Sequence, residues 1–286
     1  MSKGTRTDHI SKDRYTILWL YGFLIFFCSC NSTKYLGEDE SLLDSYEINL
    51  SSDEEIKNKY LFDISMQNLI RQKPNKNFLY ILPREYVYFK NSAEGDSSWY
   101  NRFLLNYIAE EPSIYEELQT KESIYKMSNY LVNKKGFYNA SITYDESTQD
   151  KKTDLTYNVD LGTRYKVNSI EYYGQDTSAV QAMRRMRKDA LITAGDYIDA
   201  GKFDLELTRI SVAMQNQGYA NFATNYLSIQ GDSSLNNHSV DVFVELKSPL
   251  PDTTHKLYTL GDVKVFTDYH RDQDTSRLAT ERYNDM

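Results

Sequence analysis

Two glycines, Gly136 and Gly218, each end a helix-like stretch and stand directly before an aromatic residue and a strand-like stretch. This repeated switch from a period of 3.6 to a period of 2 restricts the folds open to the chain. In the first copy the pattern predicts a helix from about Lys121 to Lys134 and then a strand over Phe137–Tyr144 (FYNASITY). After a polar turn, Leu155, Tyr157, Val159 and Leu161 alternate with polar residues as a second strand. The other copy lies about 82 residues further on, taking the glycines as markers. Its helix runs from about Lys202 to Gln217, its first strand over Tyr219–Ser228 (YANFATNYLS), and Val240, Val242, Val244 and Leu246 alternate after a turn at Gly231–Ser234. A strand, Tyr165–Tyr173, and a helix, roughly Ser178–Lys188, precede this copy, so the unit reads strand, helix, helix, strand, strand. A helix that turns at once into a strand needs a residue tolerant of φ > 0 just past its end, and glycine has no Cβ to clash there. Gly136 and Gly218 are therefore expected in the left-handed region, with Phe137 and Tyr219 folded back over the last helical turn.

The amino end follows a different logic. Lys3, Arg6, Lys12 and Arg14 precede an uncharged run, Tyr15–Phe27 (YTILWLYGFLIFF), of the length of a signal-peptide core and shorter than the roughly twenty residues of a bilayer-spanning helix. Both cysteines of the chain follow it, Cys28 and Cys30. They stand too close in sequence for an unstrained disulfide, and the four scattered histidines supply no zinc set with them. Phe27, Cys28, Ser29 and Cys30 resemble a bacterial lipobox, with small Ser29 before Cys30 and bulky Phe27 before Cys28. What this implies is a signal over residues 1–29, cleavage before Cys30, and acylation of Cys30 as an anchor. An uncleaved signal anchor and a buried core helix are the alternatives.

The net charge of −8 argues against nucleic acid, whose recognition rests on neutralising phosphates. The one basic cluster, Arg184, Arg185, Arg187 and Lys188, falls on a helix whose other face carries Val180, Met183 and Met186, and reads as a solvated face, with contact to anionic lipid or a partner as the alternative. No nucleophile–base pair, metal motif or phosphate loop stands in the chain, so no enzyme and no cofactor are expected.

Residues 30–44 are polar and aperiodic and read as a tether. A first unit is expected over 45–162, with an excursion over about 72–111 that is longer than the unit needs. Within it, Trp99 and Tyr100 are expected to begin a helix that buries them. A second unit covers 163–247. Tyr258–Phe266 (YTLGDVKVF) repeats the opening strand pattern, as the start of a third unit over 256–286.

This order resembles the polypeptide-transport-associated (POTRA) domain. More narrowly the chain resembles the arm of TamL-type lipoproteins of the BamA/TamA outer-membrane assembly superfamily. The stretches that carry the likeness are CNSTKYL at Cys30, RQKPNK at Arg71, EEPSIYEE at Glu110, NYLVNKKGFYNASITY at Asn129, GTRYKVNSIEYYG at Gly162 and GDYIDAGKFDLELTRISVAMQNQGYANF at Gly195. The resemblance implies an α+β fold of tandem POTRA domains, each a β-α-α-β-β unit with a three-stranded mixed sheet and two helices on one face. It also implies a chain lipid-anchored at the outer membrane, facing the periplasm, and working in protein transport. The implied partners are an outer-membrane β-barrel domain, normally in the same chain, unfolded outer-membrane protein clients, and an inner-membrane-anchored TamB-like protein. Such a barrel needs at least eight strands, roughly ten alternating residues each, more than the residues after Leu246 supply. A fragment is the favoured explanation. Clients would add as strands to an open sheet edge. The expected edge residues are Phe137, Ala140, Ile142 and Tyr144 in the first unit and Tyr219, Phe222, Thr224 and Tyr226 in the second. The alternative function is a docking scaffold or a small-ligand or glycan-binding lipoprotein.

Overall fold

The computed structural model of the chain describes residues 31–93, 98–234, 237–251 and 253–263. The signal, Cys30 and the third unit beyond Val263 lie outside the described residues. The chain divides into two compact units between Tyr165 and Lys166.

The first unit contains β1 (Leu42–Ser51), α1 (Lys59–Leu69), a short hairpin of β2 (Asn77–Phe78) and β3 (Leu82–Pro83), α2 (Arg84–Ala93), α3 (Trp99–Tyr107), α4 (Glu117–Lys135), β4 (Ser141–Gln149) and β5 (Lys152–Asp160). Its sheet has the order β1-β5-β4, with β5 parallel to β1 and antiparallel to β4. The second unit contains β6 (Lys166–Gly174), α5 (Thr177–Arg185) with a 3₁₀ turn behind it, α6 (Ala200–Asn216), β7 (Leu227–Asp232) and β8 (Ser239–Leu246). Its order is β6-β8-β7 with the same directions. Apart from the excursion between α1 and α4, each unit is the expected β-α-α-β-β, and the fold is the expected α+β.

The last strand of each unit takes the centre because its alternation is the most regular. Leu155, Tyr157 and Val159 of β5, and Val240, Val242, Val244 and Leu246 of β8, are all buried on one face. Phe62 and Met66 of α1, with Met127 and Leu131 of α4, complete the first core on that face. Val180 and Met183 of α5 and Ile210 and Met214 of α6 are buried in the second unit.

Both glycines are left-handed, Gly136 at φ 74° and Gly218 at φ 99°. The amide after each reaches back into its helix, Phe137 N–H to Leu131 O at 3.0 Å and Tyr219 N–H to Met214 O at 3.1 Å. Gly218 is also a point of close approach. A Cβ there would lie 2.6 Å from the Tyr258 carbonyl oxygen, and the Tyr258 amide donates to Gly218 O at 2.7 Å.

Several expectations need correction. The strand expected from Phe137 begins at Ser141, and the one expected from Tyr219 begins at Leu227. The chain leaving a left-handed cap must first travel back to the level of the sheet. It does so in turns closed by Ala140 N–H to Phe137 O and Phe222 N–H to Tyr219 O, with Thr224–Tyr226 in a 3₁₀ turn. Phe137, Tyr219 and Phe222 are buried under these turns, and spaced aromatics of this kind imitate the period of a strand. The expected tether is largely structured: Ser32 and Leu36 are buried, and β1 begins at Leu42 with Leu42 and Leu43 in the interior. Trp99 does open α3, but it and Tyr100 are exposed. Residues 258–263 form no strand, since the Tyr258 backbone is held by Gly218.

Replacing Gly218 by alanine adds both left-handed strain and the clash with Tyr258. Gly218→Ala should destabilise the second unit by about 1 to 3 kcal/mol, read as a lowered denaturant midpoint in the full chain. An unchanged midpoint would contradict the close approach.

Candidate functional site

A three-stranded sheet has two edges, and the main chain shows which are open. The β4–β5 hairpin turns through Asp150 and Lys151 alone, at φ 50° and 58°, a two-residue loop with both residues left-handed. In such a hairpin the flanking residues, Gln149 and Lys152, form a hydrogen-bonded pair, and such pairs then recur at every second residue. The main-chain N–H and C=O groups of Thr143, Asp145 and Ser147 therefore point to β5. Those of Ile142, Tyr144, Glu146 and Thr148 point outward. In the second unit the Lys247 amide donates to Tyr226 O at 2.8 Å, which sets the same alternation and turns the groups of Leu227, Ile229 and Gly231 outward from β7.

The side chains of the outward residues on β4 are tied back toward the helices. Ile142 and Tyr144 pack against the first core. The Tyr144 hydroxyl donates to Glu117 Oε1 at 3.1 Å, and Glu146 accepts from the Tyr115 hydroxyl. Burial, together with Glu146, raises the Tyr115 phenol above its ordinary range. Hydrogen bonds from Lys121 and Tyr144 lower the Glu117 carboxyl. The side chains are thus engaged while the backbone groups beside them face away from the sheet.

The opposite edges are partly covered. On β1 the Leu43 amide donates to Ser113 O at 2.9 Å, the Tyr115 amide to Ser41 O at 2.8 Å, and the Asn75 amide to Leu43 O at 3.1 Å. On β6 the Val167 amide donates to Asp196 O and the Gly195 amide to Val167 O, both at 2.7 Å. Beyond its covered start, β1 borders a groove of about 290 Å³ lined by Tyr46, Glu47, Ile48 and Leu50 with Lys59, Asp63 and Gln67 of α1.

The cover on β1 is built by two of the sequence stretches singled out above, RQKPNK and EEPSIYEE. Asn75 Nδ2 donates to Leu43 O and Ser113 O at 3.0 and 3.1 Å, and its Oδ1 accepts the Ser113 amide at 2.8 Å. Gln72 Nε2 donates to Ser113 Oγ at 3.0 Å, and Gln72 Oε1 accepts the Glu116 amide at 3.3 Å. These two amide side chains clamp the neck of the excursion over residues 72–111.

Of the expected edge residues, only Ile142 and Tyr144 lie on an edge strand. Phe137 and Ala140 belong to the turn before β4. Tyr219 and Phe222 lie in the turn before β7, and Thr224 and Tyr226 form its 3₁₀ end. Glu146 and Thr148 of β4, and Leu227, Ile229 and Gly231 of β7, were missed. The signal for the first two was the Asp150-Lys151 turn, whose length sets the register, whereas nothing in the sequence marked where β7 begins. Cys30 lies outside the described residues.

Two buried carboxylates of the second unit, Glu206 and Asp176, hold local structure. Glu206 receives Arg209 through two bonds at 2.7 and 2.8 Å and caps the Leu191 amide at 2.9 Å. Asp176 is buried, which alone would raise its carboxyl, yet bonds from Ser178, the Ala179 amide and the His255 amide lower it. Among the described residues no group of three or more His, Cys, Asp or Glu could hold a metal ion.

No protein-family model and no curated protein matches the chain. Among solved structures it is similar to POTRA domains 3–5 of BamA from Haemophilus influenzae, at 13% identity over 74% of this chain and 67% of that one, with a TM-score of 0.35. It is also similar to POTRA domains 1–2 of the periplasmic domain of Omp85 from Anabaena, at 11% identity over 73% of this chain and 96% of that one, with a TM-score of 0.34. At scores of this size the fold assignment rests on the chain's own strand order.

Asn75→Ala leaves main-chain groups of Leu43 and Ser113 without partners. It should destabilise the first unit by about 1 to 3 kcal/mol, seen as a lowered unfolding midpoint. A midpoint equal to that of the natural chain would show that the neck is not held by this amide.

Proposed function

We propose that this chain is the periplasmic arm of an outer-membrane assembly factor, anchored by lipid on Cys30, which receives extended segments of unfolded β-barrel proteins along β4. The observation that carries this reading is the β4 edge itself. Four residues turn their main-chain groups outward, their side chains are drawn to the helix side, and no other strand of the described sheet covers them. A segment that adds there pairs through backbone groups, which every sequence has, and an arm serving many clients needs that tolerance. The shorter β7 would serve as a second, weaker edge. The arm catalyses no reaction and needs no cofactor. Its partners in this reading are a β-barrel domain, the unfolded clients, and an inner-membrane-anchored TamB-like protein. The POTRA-like order of each unit and the lipobox-like Ser29-Cys30 support the reading.

Backbone recognition separates cleanly from side-chain recognition at Glu146. Glu146→Pro removes an outward N–H on an edge strand, where proline is tolerated. It should weaken crosslinking of a barrel-precursor peptide to a photo-crosslinker at Thr143 several-fold, whereas Glu146→Ala should leave it nearly unchanged. Equal crosslinking to precursor and to a folded soluble control would replace the client role by a docking role. Crosslinks from Glu47 in place of Thr143 would assign the client to the groove beside β1 and overturn the β4 assignment.

The anchor is checked separately. Radiolabelled palmitate should enter the natural chain and Cys28→Ala but not Cys30→Ala, and labelling that survives loss of Cys30 would contradict lipidation there.

A further inference from the structure

The excursion between α1 and α4 exposes more apolar surface than its packing explains. The tip of its hairpin is Leu79, Tyr80 and Ile81, exposed by 72%, 97% and 57%. Leu79 and Tyr80 stand at φ 50° and 65°, and the Ile81 amide closes the turn onto Phe78 O at 3.2 Å. A turn with two consecutive left-handed residues is normally made by Asn-Gly, because larger side chains are strained there. Here the strained positions carry a leucine and a tyrosine that both point into solvent.

A second exposed apolar surface lies on α3. Trp99, Phe103 and Tyr107 recur every four residues along one face, exposed by 77%, 46% and 70%, while Asn101 on the other face is buried. The two surfaces are joined at their bases: Arg84, directly after the hairpin, donates Nε–H to Ile108 O at 2.7 Å and pairs with Glu110 at 2.6 Å. α2 packs on α3 and touches β3, and three of its side chains also meet the amino end of the described chain. Ser32 Oγ donates to Glu85 Oε1 at 2.9 Å, and the Tyr35 ring lies 5.3 Å from Phe89 and 6.2 Å from Tyr86.

We infer that the hairpin tip and the aromatic face of α3 form a foot that enters the headgroup region of the bilayer holding the chain's amino end. Three observations favour lipid over other occupants. The thirty residues before Asn31 carry the apolar run Tyr15–Phe27 and Cys30, so lipid on Cys30 brings the chain to a membrane two residues before Ser32, the first residue of the segment held on α2, and a signal anchor ending at Phe27 does so five residues before it. Helix axes in contact lie roughly 8 to 10 Å apart, so α3 sits only about one helix width beyond that segment. The charge is also suited to anionic lipid: in a chain of net charge −8, neither the stretch from Arg71 to Arg84 nor α3 contains an acidic residue, and while Arg71 and Arg84 pair with Glu122 and Glu110, the stretch also carries Lys73 and Lys76 beside the hairpin. Trp and Tyr are the residues that settle at this depth, with one apolar side and one polar end. The inference rests on the anchor at the amino end and is independent of client receipt at β4.

The test uses the full chain with Trp19→Phe, which leaves Trp99 as its one tryptophan. The chain is purified from membranes with its anchor and reconstituted into vesicles of phosphatidylethanolamine and phosphatidylglycerol, with and without brominated acyl chains. Flotation reports the anchor, and Trp99 emission reports the foot. The expected result is blue-shifted emission that brominated lipid quenches by about half or more. The pair Leu79→Asn with Tyr80→Gly suits the turn, so the unfolding midpoint should hold or rise, while lipid quenching should fall at least about twofold. A chain that floats while Trp99 stays open to acrylamide and untouched by brominated lipid overturns the foot and leaves the anchor standing. A chain that does not float removes both. A blue shift that grows with protein concentration in the absence of vesicles assigns the face to a second copy and overturns the inference. Quenching unchanged by the paired substitution overturns the part given to the hairpin.

Discussion

Three strands cannot close a sheet, and each unit of this chain therefore carries two rows of main-chain donors and acceptors that its own sheet leaves unpaired. The rest of the structure can be read as a response to that constraint. The last strand takes the centre and satisfies both neighbours. Short loop segments take up part of the edge on β1 and on β6. Among the described residues no such segment covers the outward groups of β4 and β7, and on β4 the side chains that might have blunted the edge, Tyr144 and Glu146, bond to Glu117 and Tyr115 instead. Charged side chains and bulges are the usual means of protecting an edge. Here the two acidic residues Asp145 and Glu146 are each held by a neighbour, Asn158 and Tyr115.

The two left-handed glycines position these edges. Each ends the last helix of its unit abruptly, so that the chain reverses within a few residues and the next strand runs antiparallel to the central one. At Gly218 the same absence of a side chain lets the Tyr258 carbonyl approach, which ties the segment after β8 to the end of α6. In the first unit a different device does comparable work. Gln72 and Asn75 clamp the neck of the long excursion to the start of β1, so that an additional hairpin and helix pair is carried without opening the sheet.

Regular periodicity made most of the fold legible. The central strands, α4, α5, α6 and both glycine caps are visible in the sequence because each element keeps one period and both caps fall on glycine, whereas α1 and α2 were not read as helices. The residues between elements were harder to place. Phe137, Tyr219 and Phe222 are apolar because they fill the space under a turn, and in a linear reading they extend the strand that follows them. Leu42 and Leu43 were absorbed into a polar tether because two apolar residues form no pattern. The edge itself was half legible: its strand followed from the order of elements, while the outward residues followed from a two-residue turn whose left-handed Asp150 and Lys151 lack the glycine that usually marks it. The exposure of Trp99 had no sequence signal, since an aromatic face on a helix reads the same whether it meets a core or another surface.

The central claim is that β4 offers its main chain to extended segments, and amide hydrogen exchange resolved by residue tests it most directly. In the free chain the amides of Thr143, Asp145 and Ser147 should be protected and those of Ile142, Tyr144, Glu146 and Thr148 should exchange quickly. An unfolded barrel precursor should then protect the second set and leave the first unchanged. Fast exchange of Ile142, Tyr144, Glu146 and Thr148 that persists with precursor bound would contradict strand addition at this edge.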